Sequence, residues 1–140
     1  MALLPDTPPV GVGPSGMASG EPRNGYHSIT PRIVALDVEA QVSFIRAVFD
    51  ATGDVVAGLP AEVRIGDSMV MVSEAGERDL FAAFLYVYVA DADVTYDAAL
   101  AAGATSIEAP ADTPYGDRRA MVRDPFGNLL QIAHPLTGAP

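Results

Sequence analysis

Two stretches of this chain share one layout: AEVRIGDSMVMV at 61–72 and YGDRRAMVRDPFGNLLQIA at 115–133. Each joins two runs of strand character through a turn. Gly66-Asp67 is a two-residue hairpin connection, while Asp124, Pro125, Phe126, Gly127 and Asn128 make a longer one in which Gly and Asn both tolerate positive φ. A unit repeated at a spacing of roughly fifty residues limits the folds available, because neither half could bury its sheet face alone.

The elements before each turn repeat as well. A strand over 31–36 leads to Asp37, placed to cap a helix in which Val38, Val42, Ile45 and Phe49 recur at i, i+4, i+7 and i+11, with Phe44 and Val48 widening the stripe. Gly53 is expected to end it. Short strands are expected at 55–59, 61–65 and 68–73, followed by a polar connector at 74–79. The order then restarts with a strand at 84–89, cap candidates Asp91 and Asp93, a helix bearing Val94, Ala98, Leu100 and Ala101, and Gly103 as its stop. Strands near 106–109, 119–123 and 129–133 complete the second half. Residues 1–27, rich in Pro and Gly and poor in large apolar side chains, read as a flexible tail before a single domain over 28–140. Module one spans about 28–74 and module two about 83–135.

Composition removes several function classes. With no cysteine among 140 residues, disulfides, thiolate metal sites and cysteine nucleophiles are excluded, which mildly favours the cytoplasm. Nothing reads as a signal peptide or as a membrane span of about 20 apolar residues, so no membrane partner is expected. A net charge of -10 and a total absence of lysine argue against nucleic acid, which is bound by neutralising phosphates. There is no GxSxG, no strand-to-helix GxGxxG and no phosphate loop, so hydrolase and nucleotide readings lack support.

GDRRAMVRDPFGNLLQIA, with IGDSMVMV and the VYVADAD junction at 87–93, resembles the vicinal oxygen chelate superfamily, which holds glyoxalases, bleomycin-resistance proteins and extradiol dioxygenases. The resemblance covers residues 28 to about 135. It implies an α+β fold of paired βαβββ modules, their curled mixed sheets around a cavity and helices on the convex face. It also implies homodimers in which two chains complete each cavity. Enzymes of the superfamily hold a divalent metal with His and Glu from the first and last strands of each module. The matching positions here are Thr30, Met71, Phe84 and Gln131, and none is His, Asp or Glu. Such metals need several converging imidazole or carboxylate donors, so no metal and no other cofactor is expected. His27 lies in the tail, and period-two alternation sends His134 to the face opposite Gln131. Glu62 supplies one ligand at most.

Alternation from Phe84 places Tyr86 and Tyr88 on the same, cavity-facing side, with Leu85, Val87 and Val89 against the helices. Met69 and Met71 join them from module one, and Leu129, Gln131 and Ala133 from the last strand. Aromatic faces stack on planar ligands and attract cations, methionine adapts to irregular shapes, and Gln131 offers a donor and an acceptor. Of Arg118 and Arg119 one must face the cavity, where a guanidinium could grip a carboxylate or phenolate; Arg119 is the candidate, and Arg32 shares the face of Thr30. The expected function is metal-independent binding of an aromatic small molecule, cationic ones included, in the manner of the bleomycin-resistance branch and thus of antibiotic resistance. The predicted ligand set is Phe84, Tyr86, Tyr88, Met69, Met71, Gln131, Arg32 and Arg119. The alternative is a glyoxalase-like lyase, isomerase or dioxygenase with an atypical metal site or a metal-free pair such as Tyr88 with Glu62 or Arg119.

Overall fold

The computed structural model describes residues 20–137, so the greater part of the expected tail lies outside the described residues. The chain divides into a unit ending at Thr30 and a unit from Pro31 onward. In the first, the Tyr26 amide donates to the Arg23 carbonyl at 3.0 Å, and the Arg23 guanidinium lies 4.5 Å from the Tyr26 ring centroid.

From Pro31 onward, two helices and seven strands form two mixed sheets. Strand β1 (Arg32–Ala35) leads to helix α1 (Val38–Phe49), then to β2 (Ala61–Ile65) and β3 (Ser68–Glu74). These strands assemble in the order β1-β3-β2, with β1 parallel and β2 antiparallel to β3. The second half gives β4 (Phe84–Tyr88), α2 (Ala92–Ala101), β5 (Thr105–Asp112), β6 (Asp117–Arg123) and β7 (Leu129–Pro135), in the order β4-β7-β6-β5. The α+β architecture expected from the repeat is present, with one strand missing. Residues 55–56 lie in no regular element and 57–59 turn, and an isolated Thr52–Arg64 bridge marks the place of the absent edge strand.

Helix α1 forms where its stripe predicts. The Asp37 carboxylate accepts the Ala40 amide at 3.0 Å, and Val42, Phe44, Ile45 and Val48 are buried in the core. It ends earlier than the glycine suggested: Asp50, at φ 53°, takes the left-handed cap position. Gly53 has another duty, since at φ 132° a Cβ there would lie 2.3 Å from the Glu62 carbonyl. The second helix departs further. Ala92 and Ala99 are its buried residues and Leu100 packs against the core as expected, while Val94 is 64 % exposed and turned away from it. Asp91 alone caps it, accepting the Asp93 and Val94 amides.

The five-residue turn at 124–128 is more than a reversal. Gly127 takes positive φ and Asn128 does not. Asp124 Oδ1 accepts the Phe126 and Asn128 amides, and its Oδ2 accepts Gln41 Nε2 from α1 and Asn128 Nδ2. Asn128 in turn donates to Gln41 Oε1 and accepts the Ala83 amide ahead of β4. All three side chains are buried, so the network satisfies its own polar atoms while tying the second hairpin to the first helix.

Candidate functional site

Alternation along β4 leaves Phe84 61 %, Tyr86 38 % and Tyr88 60 % exposed on one face, with Leu85 and Val87 half-buried behind them. Register extends this face across the sheet. Phe84 stands beside Leu129 and Arg123, Tyr86 beside Gln131 and Met121, and Tyr88 beside Ala133 and Arg119. Of the predicted ligand set, Phe84, Tyr86, Tyr88, Gln131 and Arg119 therefore share one surface. Met69, Met71 and Arg32 lie on the first sheet, where Arg32, Met71 and Glu62 form one cross-strand row and the Arg32 guanidinium donates to the Met71 sulfur at 3.1 Å. A cavity of about 780 Å³ against that sheet is bounded by Arg32, Val34 and Ser73 and by the loops at 55–60 and 75–78. None of the aromatic set lines it. Tyr88 instead borders a second hollow of about 420 Å³ with Phe49, Ile65 and Gly66.

Sequence reasoning passed over the residue that organises the aromatic face, Asp117. A tight turn sets it in place: Gly116 is at φ 98°, and Thr113 Oγ1 accepts the Asp117 amide and donates to its carbonyl. From there Asp117 Oδ2 accepts the hydroxyls of Tyr86 at 2.6 Å and Tyr88 at 2.8 Å. Tyr115 extends the chain, its hydroxyl 3.2 Å from that of Tyr86 and accepting from Arg119 Nη1 at 3.1 Å. Strand β6 starts two residues earlier than expected, and extending the alternation from Arg119 back to 117 was the available signal.

The neighbouring arginines are engaged. Arg118 points to the helix side, where Nε and Nη2 grip both oxygens of Asp93 and Nη1 reaches Asp112. Arg119 takes the open face and donates to Glu108 at 2.8 Å. These contacts set the titration behaviour: the Arg118 hydrogen bonds hold the Asp93 carboxyl below its ordinary range and push the guanidinium upward. Burial, followed by the hydrogen bond to Asp117, pushes the Tyr86 phenol far above its ordinary value. The Asp117 hydrogen bond raises Tyr88 as well. Both hydroxyls are thereby held as donors to the one carboxylate oxygen.

The divalent metal of the superfamily's enzymes does not fit this residue set. Met71, Phe84 and Gln131 present a thioether, a hydrocarbon ring and an amide, and the Arg32 cation sits on the Met71 sulfur. Among the described residues no three of His, Asp and Glu converge. His134 faces the other way, its Nδ1 accepting the Ala92 amide at 2.8 Å.

The two modules, one βαββ and one βαβββ, repeat a single topology in one chain. Residues 27–132 match the Glyoxalase/Bleomycin resistance protein/Dioxygenase superfamily, and the chain belongs to it. A relative from Mycobacterium bovis, described as an uncharacterized protein, is 28% identical over 127 residues, covering 78% of this chain and 84% of its own length. Among solved structures, TioX from Micromonospora sp. ML1 superposes with a TM-score of 0.68 at 24% identity, covering 77% of this chain and 98% of that one. A glyoxalase/bleomycin resistance protein/dioxygenase family enzyme from Burkholderia phytofirmans PsJN gives 0.66 at 24% identity, covering 75% and 95%. At such identities the likeness establishes the fold. No helix among the described residues is long and apolar enough to cross a membrane.

Proposed function

We infer that the chain is a metal-independent binding protein that sequesters an aromatic small molecule, such as a natural product or antibiotic, in the manner of the bleomycin-resistance branch. The observation that carries this reading is the strip of Phe84, Tyr86 and Tyr88, whose rings stay open to solvent on a sheet face while the two tyrosine hydroxyls are tied down at the edge. Fixed rings lose little entropy on stacking with a planar ligand. Binding is the activity that this reading assigns to the surface, since exposed rings on a sheet face offer contact area to a planar ligand.

The proposal includes a cytoplasmic homodimer. Exposed Leu36, beside the cavity of the first sheet, and exposed Phe84, on the aromatic face of the second, are apolar surfaces that a second copy would cover. Met69, Met71 and Arg32 of one copy would then face the tyrosines of the other.

Titration calorimetry of the full chain against a panel of planar aromatic natural products tests the binding reading, with stoichiometric heat from at least one compound as the expected result. Uniformly absent heat would count against it. Stoichiometric Ni, Zn, Fe or Mn in the purified, untagged protein would favour the enzymatic alternative instead.

A further inference from the structure

Asp117 is 6 % exposed, and a carboxylate so withdrawn from water is ordinarily balanced by a cation. No arginine beside it serves. Arg118 is held by Asp93 and Asp112 on the opposite face, and Arg119 by Glu108. What Asp117 receives is two neutral phenols, both on Oδ2. Of the three arginines of β6, Arg118 and Arg119 are thus paired with other acids and Arg123 reaches the Gly127 carbonyl, so among the described residues no ion pair reaches Asp117.

The phenols that reach Asp117 leave their rings available. Tyr86 and Tyr88 have centroids 5.3 Å apart and planes inclined at 58°, so the two faces form an open wedge. A hydroxyl that donates to a carboxylate returns electron density to its ring, which makes the face more negative and its attraction for a cation stronger.

We propose that this wedge is a subsite for a cationic head group, an alkylammonium or quaternary ammonium, seated on the faces of Tyr86 and Tyr88 with Asp117 as its buried counter-charge. The assignment rests on the reading that the aromatic face binds a small molecule, and it narrows the chemistry of that molecule. It also reverses the expectation drawn from Arg119. An anionic ligand would have to displace Glu108 from the guanidinium and would meet Asp117 nearby, whereas a cation completes the charge balance already present. The net charge of -10 assists its approach.

Two probes of matched shape test this: benzyltrimethylammonium and the uncharged tertiary alcohol benzyldimethylcarbinol. Binding to the full chain is read by calorimetry and by tyrosine emission, the chain having no tryptophan. The cation is expected to bind at least about tenfold more tightly than the alcohol. Asp117→Asn, which keeps an oxygen for the two hydroxyls, is expected to bring the ratio close to one. Equal affinity for the two probes in the unaltered protein overturns the cation subsite and leaves aromatic binding standing, whether or not the variant folds. A folded Asp117→Asn protein that keeps the preference overturns the role of the carboxylate. Binding of neither probe overturns the subsite together with the reading on which it rests.

Discussion

The two hairpins occupy the same place in their modules and do different work. Gly66-Asp67 joins β2 to β3 in two exposed residues, with Gly66 taking the positive φ and Asp67 receiving only the Ser68 hydroxyl. The turn between β6 and β7 is longer and folds its polar side chains inward, so that Asp124 and Asn128 reach Gln41 on the first helix. The contrast continues on the open faces. The first sheet has lost an edge strand and carries a guanidinium on a thioether beside a wide cavity, whereas the second keeps four strands and fastens two tyrosines to a buried carboxylate. Repetition of a topology therefore fixes where side chains stand and leaves their chemistry free to diverge.

Removing the two turn aspartates in parallel should break that contrast most sharply. Asp124→Ala strips the acceptor from the Phe126 and Asn128 amides, from Asn128 Nδ2 and from Gln41 Nε2, all around a buried site. Buried donors left without partners cost about 1–3 kcal/mol each before relaxation, so a loss on the order of 3–5 kcal/mol is expected in urea unfolding. Asp67→Ala should change stability by less than about 0.5 kcal/mol. Similar losses from the two variants would show that the network around Asp124 does not fasten the modules together.

How much of this was legible in the sequence follows the same division. Period-two alternation located Phe84, Tyr86 and Tyr88 on one face and sent His134 to the other, because strand geometry gives each side chain a side without reference to its partners. The cap at Asp37 and the stripe of α1 were readable for a similar reason: both are local. Asp117 was missed since its meaning lies in hydroxyls 29 and 31 residues away, and no spacing rule connects them. Asp124, Gln41 and Asn128 were hidden in the same way, being turn or helix residues by propensity and network members only after folding. The expected strand at 55–59 failed for another cause: Val55 and Val56 have strand propensity, yet the chain turns at 57–59, where Gly58 takes φ 81°.

The tyrosine lattice makes a smaller and pH-dependent contribution that the first sheet cannot imitate. Tyr86→Phe removes one donor from Asp117 on a partly exposed face, which should cost about 1 kcal/mol. Since the folded-state pKa of Tyr86 and of Tyr88 is raised above the ordinary phenol value of 10.0, their stabilisation is complete below that pH. It is lost as pH rises through the folded-state values. Ultraviolet difference titration checks both statements: of the five tyrosines, Tyr86 and Tyr88 should ionise later in the native chain than in urea, and Tyr86→Phe should remove one of these late steps. Coincident native and denatured curves would mean that the hydroxyls do not rest on the carboxylate.

The smallest expected effect addresses the second helix. Its sequence groups Val94 with Ala98, Leu100 and Ala101 as the helix's apolar residues, and a core-facing valine would lose well over 1 kcal/mol on truncation to alanine. In the structure Ala92 and Ala99 are buried and Tyr96 and Leu100 pack against the core, whereas Val94 faces solvent. Val94→Ala should therefore alter stability by no more than about 0.5 kcal/mol, with the better helix propensity of alanine offsetting the lost surface contact. A loss near 2 kcal/mol in urea unfolding would mean that Val94 is covered in solution.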